Sequence, residues 1–587
     1  MMIGEENMNL KKVLGTLLVA TSLVAVTGCG SKSEDADKEI DTSTEEKLDI
    51  TIAGINLGDS KSIDGWNNAV IKKLEEKFNV TLTMANYTNE TLNLDLSGGK
   101  TADIIQINDN HLSSVLQGKH AVDLEKYKDT LATNVFSETM EFRNDVLKKF
   151  KSNDENKTYF VTPRVTSKDA ELNYGTNLHY GYAVRWDLYK EIGAPEINND
   201  DDYIAALEKM KKLYPETEDG LPVYAMSPYN DVTLHSYFFK GAIAEGYTNL
   251  ENGVYVSNVE TNEIIPDFYD VNNPDIETPF WSGVKFYNKL YNKGLLDPDA
   301  FITKGEDLTE KYTKGQYLGG SVNWYYGGYN QEQQTQDPET LKQFVMLPSK
   351  LGWAKESNPA GHFGKYFFVS SHSPNQDRAV MILDYIQSEE FSRDVSSGVE
   401  GSTWEIDDQG KPKLMQSVID LKTSGSGTDE WKQLGVNSSL TSAAGQDDYN
   451  VTKDGGLVNL WVAEDMLGDS MTFAERDLAK TLGVAVPSDL LKQRVEAGTS
   501  VDLHKAMSVI QVGLDITPKD IVRIDSNSVE ITSKAVPNLV QAKTDEEFEA
   551  IKADLMKELE AADVQKSIDW WTNAWNTSKT EIEKLQK

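Results

Sequence analysis

From about position 48 onward the chain shows regular hydrophobic patterning. Leu48, Ile50 and Ile52 alternate with polar residues, which predicts a strand starting near 48. Val70, Ile71, Leu74 and Phe78 share one helical face, and Val80, Leu82 and Met84 then alternate again. Residues 102–107 (ADIIQI) form a short, nearly continuous apolar run, as expected of a strand buried on both faces. Strand, helix, strand and a further buried strand are the grammar of a parallel α/β sheet. Ligands of such sheets bind beyond the carboxyl ends of the strands. The loops at 56–64 and 108–111 are therefore candidate ligand contacts.

Residues 184–197 (VRWDLYKEIGAPEI) are expected as a helix, stopped by Gly193 with Pro195 behind it. Tyr203, Leu207, Met210 and Tyr214 mark a second amphipathic helix. Residues 249–267 alternate around Asn252-Gly253 and around Thr261-Asn262, which predicts hairpins. Residues 361–386 suggest a loop, a strand over 366–370 and a helix carrying Val380, Ile382, Leu383 and Ile386. The C-terminus is expected to be helical. Thr544 and Glu547 have capping-box spacing, followed by stripes through Phe548, Ile551, Leu555 and Leu559, then Val564, Ile568, Trp571 and Trp575. At this spacing Trp571 and Trp575 are expected to pack against a neighbouring layer. No internal repeat is visible.

The N-terminus bears on the compartment. Lys11 and Lys12 precede an apolar stretch at 13–26, and Thr27, Gly28 and Cys29 follow. A basic start, an apolar core and small residues at the end are the layout of a secretion signal. The stretch is shorter than the roughly 20 residues a membrane-spanning helix needs. Cys29 is the only cysteine, so no disulfide is possible. Its position after the apolar stretch resembles a bacterial lipobox, which implies cleavage before Cys29 and a diacylglyceryl group on its thiol. Val26 stands where Leu is commoner, and Met8 offers an alternative start. Residues 30–47 (GSKSEDADKEIDTSTEEK) are polar and aperiodic, as expected of a flexible tether.

Composition narrows the function classes. The 587 residues suggest two or more lobes. A net charge of -36 repels phosphate backbones, so nucleic-acid binding is not expected. There is no HExxH, CxxC, Walker loop or GxSxG, and the seven histidines show no metal-ligand spacing. With 94 acidic residues, a chance carboxylate pair carries no weight as a glycosidase signal. No cofactor or metal is expected. The acidic hairpin at 405–409 is the one stretch suggestive of Ca²⁺, a plain turn being the other reading.

Five segments carry a family resemblance: the lipobox at Cys29, VRWDLYKEIGAPEI, GLLDPDAF (294–301) with KGEDLTEKYTKGQYLGGSVNW (304–324), GKYFFVSSHSPNQDRAVMILDYI (364–386) and GVEGSTWEIDDQGKP (398–412). Their order over 48–587 resembles the extracellular solute-binding lipoproteins of carbohydrate ABC importers, family 1. The resemblance implies an α/β, two-lobed periplasmic-binding-protein-like (type II) fold, with hinge strands and a helical C-terminus. Lobe 1 would take 48–162 and 364–397, and lobe 2 would take 163–363 and 398–587. It further implies a non-enzymatic, monomeric protein on the extracellular face, anchored through lipid on Cys29, that delivers a carbohydrate to permease subunits. An oligopeptide-binding importer component, a surface glycoside hydrolase and a sensor or adhesin are the alternatives.

A sugar offers C–H faces that stack on aromatic rings and hydroxyls that need paired donors and acceptors. Trp404, in a Gly-Ser-Thr-Trp turn, matches the family's aromatic at that place, with hairpin packing as its other reading. Trp324, in SVNWYYGG, is not forced into a core. Asp109 follows a strand and is suited either to accept sugar hydroxyls or to cap a helix. His362 and Tyr366 flank the expected interlobe strand. Arg185 and Trp186 begin the expected helix and fit a structural role equally well. Trp66 lies near the first loop, and Tyr229 and Asp231 in the SPYND loop complete the candidates.

Overall fold

The computed structural model describes residues 40–55, 57, 67–153, 155–173, 180–228, 234, 246–249, 254–269, 278–348, 357–425, 428–437, 440–500 and 509–587. Its strands are β1 (Leu48–Gly54), β2 (Val80–Asn86), β3 (Ile104–Ile107), β4 (Tyr180–Arg185), β5 (Tyr247–Asn249), β6 (Tyr255–Asn258), β7 (Ile264–Pro266), β8 (Gly319–Val322), β9 (Phe344–Leu347), β10 (Tyr366–Val369), β11 (Trp404–Ile406) and β12 (Pro412–Leu414). Among the described residues no helix is long and apolar enough to cross a membrane.

The first sheet has the order β10-β3-β1-β2. β1 runs parallel to β2 and β3, and β10 is antiparallel to β3, with Tyr366 opposite Ile107. Ile50 and Ile52 are fully buried, and Val80, Leu82 and Met84 point inward from β2 as their alternation requires. The Ala69–Phe78 helix crosses between β1 and β2. Asn68 caps its start, accepting from the Ile71 N–H at 3.1 Å, and Asn79 ends it in the left-handed region. Just before β1 the backbone is clipped to this sheet. Arg378 donates to the carbonyls of Ser43 (2.7 Å) and Glu46 (3.3 Å), and the Asn79 amide donates to those of Thr44 and Glu45.

The second sheet has the order β8-β4-β9, all antiparallel. Here the expectation of a helix over 184–197 is corrected. Val184 and Arg185 close β4, the helix occupies only Trp186–Glu191, and Gly193 follows with φ +91°. Val184 pairs with Gly319 on one side and Val345 on the other, so strand burial makes the same apolar demand as a helix face. Tyr203, on the Asp200–Leu213 helix, locks this sheet. Its hydroxyl donates to the Ala183 carbonyl (2.6 Å) and accepts from the Gly320 N–H (3.0 Å).

β5, β6 and β7 form an antiparallel meander turning at left-handed Asn262, while Asn252 and Gly253 lie outside the described residues. Three long helices close the chain: Lys519–Gln541, Asp545–Ala561 and Val564–Leu585. Thr544 accepts from the Glu547 N–H as a cap should, but the Glu547 carboxylate reaches back to Lys543 rather than to Thr544. Trp571 and Trp575 are buried. Trp571 lies against Tyr255 with ring centroids 5.5 Å apart, and the Trp575 indole donates to the Asn262 carbonyl.

Candidate functional site

Three segments run side by side between the two main sheets. Val161 bridges Phe367, and each N–H reaches the other's carbonyl at 2.9 Å. Thr166 bonds to Asn358, and His362 to Pro163. On the other side Arg164 bonds to Ala444 and Val165 to Gly445, while Asp447 bonds back to Val165. The first segment leads on towards β4, and the second leads from β9 into β10. The chain thus crosses between the sheets through a ribbon of three plies.

Arg164 sits in this ribbon at φ +61°, its guanidinium clamped on Asp448 at 2.7 and 3.2 Å. Gly361 has φ +78°, and a Cβ there would lie 2.4 Å from the Thr162 hydroxyl and 2.8 Å from the Pro163 carbonyl. Gly401 has nearly the same φ, +77°, with open space around it. Gly401→Ala is therefore expected to cost about 1 kcal/mol for backbone conformation alone. Gly361→Ala should cost at least about 1 kcal/mol more, because the neighbouring ply must shift. Urea unfolding of both variants checks this, and equal losses would refute a tight ribbon.

The ribbon enters the first sheet where β10 begins, beside the carboxyl end of β3. In the second sheet, β4 begins and β8 and β9 end at one edge, with Tyr180 opposite Val322 and Tyr182 opposite Leu347. These are the sheet ends that lie next along the chain from the ribbon segments. The first is also the carboxyl edge of the parallel strands, where ligands of such sheets bind.

Asp109 stands at that first edge, opening the Asp109–Gln117 helix directly after β3. It accepts from the Tyr366 hydroxyl at 2.9 Å through Oδ1, which lies 3.9 Å from the Lys151 ammonium. Its Oδ2 is buried without a hydrogen-bond partner among the described residues. Burial pushes the Asp109 carboxyl up and the Lys151 ammonium down, and each opposes the other's shift through its charge. Lys151 is almost wholly enclosed, donates to the Leu514 carbonyl and lies 5.9 Å from the Tyr366 ring centre. Tyr366 is itself fully buried, so it positions Asp109 and presents no stacking face. Sequence reasoning missed Lys151. It follows Lys148 and Lys149, a run that reads as a solvated basic face. Further along the same helix, Ser113, Leu116 and Gln117 face Asn153 and residues 516–519 across a cavity of about 350 Å³.

Trp324 stands at the second edge, just past the end of β8. It is 47 % exposed, an unusual display for an indole, with its ring edge-on to Tyr325. His362 is exposed on the ribbon, its Nδ1 2.5 Å from the Phe363 carbonyl.

The other candidates face inward. Trp404 is 7 % exposed and fills a small core with Leu414, Val418 and Trp461. Its indole donates to the Gly398 carbonyl at 2.8 Å, and Arg393 lies 5.1 Å from its ring centre. This is the hairpin-packing geometry. Arg185 is buried between the rings of Tyr214 and Tyr329 and held by both carboxylate oxygens of Asp187. Trp186 is buried and donates to Asp477. Trp66, Tyr229, Asp231 and Cys29 lie outside the described residues.

No group of three or more His, Cys, Asp or Glu among the described residues is arranged to hold a metal ion. In the 405–409 stretch, Asp407 accepts from the N–H groups of Gln409 and Lys411, which hold its carboxyl below the usual range. Those bonds close the β11–β12 turn.

Two sheets of this topology joined by a hydrogen-bonded ribbon give an α/β fold that matches the periplasmic-binding-protein-like fold of solute-binding proteins. Comparison with solved structures gives the same fold over nine-tenths of the chain. The ABC-transporter substrate-binding protein FusA of Streptococcus pneumoniae, in complex with kestose, is 16% identical, with TM-score 0.58, covering 91% of this chain and 100% of that one. The alginate-binding protein AlgQ2, solved without calcium ion, is 14% identical, with TM-score 0.55, covering 92% and 100%. The N-glycan transport solute-binding protein NgtS of S. pneumoniae, in complex with Man5GlcNAc, is 13% identical, with TM-score 0.51, covering 92% and 99%. No family model matches the sequence, and no curated protein is significantly similar to it.

Proposed function

We propose that this chain is the solute-binding component of an ABC-type importer. It would capture an oligosaccharide between its lobes and pass it on unchanged. The observation that carries this reading is the fold, shared over nine-tenths of the chain with proteins solved holding kestose or Man5GlcNAc. Lobe 1 is taken as 48–162 with 364–397, and lobe 2 as 163–363 with 398–587. The signal-like N-terminus supports export and a lipid anchor at Cys29, which would keep the protein beside permease subunits.

Asp109, after β3, and Trp324, after β8, would supply the two chemistries a sugar needs. The carboxylate accepts hydroxyl hydrogen bonds, and the indole covers a C–H face. Tyr366 and Lys151 hold Asp109 in place. Bending of the ribbon closes the lobes, and the sugar stabilises the closed form by contacts it makes only there. A hydroxyl left unpaired after closure costs about 1–3 kcal/mol, which is the source of selectivity among sugars.

Titration calorimetry and thermal unfolding across fructo-oligosaccharides, oligomannose glycans, uronate oligomers and short peptides test the reading. A true ligand at one hundred-fold its Kd should stabilise the fold by about 2.7 kcal/mol. Trp324→Ala should weaken sugar binding about five-fold or more, the loss of one ring stack. Silence towards every sugar with a response to peptides would reassign the ligand. A glycan recovered shortened would make the chain a hydrolase.

A further inference from the structure

Away from the interlobe edges, two histidines 252 positions apart in sequence meet on the surface of the first sheet. His120 Nδ1 and His372 Nε2 are 2.8 Å apart, with ring centroids at 5.1 Å. At that distance one ring donates and the other accepts, so at least one is neutral. His120 is partly buried and its pKa is lowered, first by burial and then by the neighbouring His372.

Both rings stand on fixed backbone. The His120 N–H bonds to the Val115 carbonyl at 3.0 Å, and its own carbonyl accepts from the Ser371 N–H at 2.8 Å. The Ser371 hydroxyl bonds to the Lys119 carbonyl, and the His372 N–H to the Ser370 hydroxyl. Ala121 bridges Ser370 directly beneath the pair. Gly118 leaves room for the His120 ring, since a Cβ there would fall 2.0 Å from Nε2.

The spacing of the two nitrogens selects a coordination geometry. With metal–nitrogen bonds of about 2.1 Å, right-angled ligands sit about 3.0 Å apart and tetrahedral ones about 3.4 Å apart. The observed 2.8 Å is a hydrogen-bond length within about 0.2 Å of the right-angled value; chelation keeps this spacing and turns both rings so that their lone pairs meet on one side. Imidazole suits late first-row cations, and right-angled geometries belong to Ni²⁺ and Cu²⁺ rather than to tetrahedral Zn²⁺.

We propose that His120 and His372 form a two-point chelate for a divalent cation of the Ni²⁺ or Cu²⁺ type. The donor ring moves its proton to its other nitrogen, so both rings bind as neutral imidazoles, and the cation sits to one side of the line between the two nitrogens with water in its other positions. Bound metal would staple the turn after the Asp109–Gln117 helix to the end of β10. With two protein ligands the site is open and of modest affinity. The strongly negative net charge draws cations to the surface in general, so the test must separate the pair from that background.

Calorimetric titration of the full chain, carrying no polyhistidine tag, with NiCl₂ and with ZnCl₂ provides the test. Wild type should bind one Ni²⁺ more tightly than Zn²⁺, and His120→Ala or His372→Ala should weaken Ni²⁺ binding at least ten-fold. Gly118→Ala, with both histidines intact but the His120 ring displaced, should weaken it comparably. Electron paramagnetic resonance of the Cu²⁺ complex should show two equivalent nitrogen couplings, reduced to one in either histidine variant. Equal Ni²⁺ affinity in wild type and the histidine variants overturns the site, as does a Cu²⁺ spectrum with no coupling from these rings. Zn²⁺ binding tighter than Ni²⁺ overturns the right-angled geometry.

Discussion

Replacing Arg143 by methionine is expected to cost about 3–5 kcal/mol of folding free energy, the usual penalty for removing one side of a buried charged network. The Arg143 guanidinium is wholly buried. It donates to the Asn144 side chain through Nε and Nη2, to the Val135 carbonyl at 3.0 Å, to Gln387 at 2.7 Å and to the Thr162 carbonyl at 3.3 Å. Burial pulls its pKa down to about 9, opposed by the Asp384 charge, so it stays a cation at neutral pH. Methionine fills much of the volume but donates nothing. It strands the Gln387 and Thr162 oxygens and leaves buried Asp384 without its nearby cation. Two of these partners tie the guanidinium to the ribbon: Thr162 lies in one ply, and Gln387 sits against Gly445 in another. Urea unfolding followed by circular dichroism reads the loss. Arg143→Lys, a point charge in place of a fork, should fall between the two. A loss below 1 kcal/mol for the methionine variant would mean that the hydrogen bonds barely offset the desolvation of the cation.

The opposite sign is expected at Asp525. This carboxylate is buried among the C-terminal helices, where it accepts from the Ser567 hydroxyl and, at 2.8 Å, from the Trp571 indole. Burial is the larger effect and pushes its pKa from 3.8 up to about 6. A raised carboxyl pKa favours the protonated folded state. The associated stability is fully present below pH 3.8 and is lost as pH rises through about 6. A shift of roughly 2 units corresponds to about 3 kcal/mol. Asp525→Asn removes the charge and keeps the shape. Its amide oxygen can face Trp571 and its NH₂ can face Ser567, whose hydroxyl then turns to Tyr255, 2.9 Å away. The variant should be about 1–3 kcal/mol more stable at pH 7 and should match wild type near pH 4. Asp394, also raised to about 6, titrates in both proteins, so the difference between them isolates Asp525. An unchanged difference from pH 4 to pH 7 would sink the assignment.

The parts of the fold legible in the sequence are those where one demand acts at a time. β1, the Ala69–Phe78 helix and β2 were readable because each buries a single face and the helix carries caps at both ends. The 184–197 stretch misled because a central strand runs straight into a short helix. Apolar spacing reports burial, not the element that does the burying. The position of Asp109 was readable because the end of a buried strand is a topological landmark, and the exposure of Trp324 because an apolar-poor, glycine-bounded stretch precedes it. Trp404 sits in a turn that reads as open, but Leu414, Val418 and Trp461 arrive from later in the chain to cover it. Lys151 could not be foreseen, since its enclosure depends on Tyr366 and Leu514, hundreds of positions away.

The clip that Arg378 and Asn79 place on residues 43–46 has a mechanical consequence. Traction applied ahead of residue 43 enters at the amino end of β1, a strand flanked on both sides by parallel partners. The load is taken in shear by that one sheet, at the end opposite Asp109. A pull on that end is therefore resisted by β1 sliding against β2 and β3, before any of it reaches the second sheet.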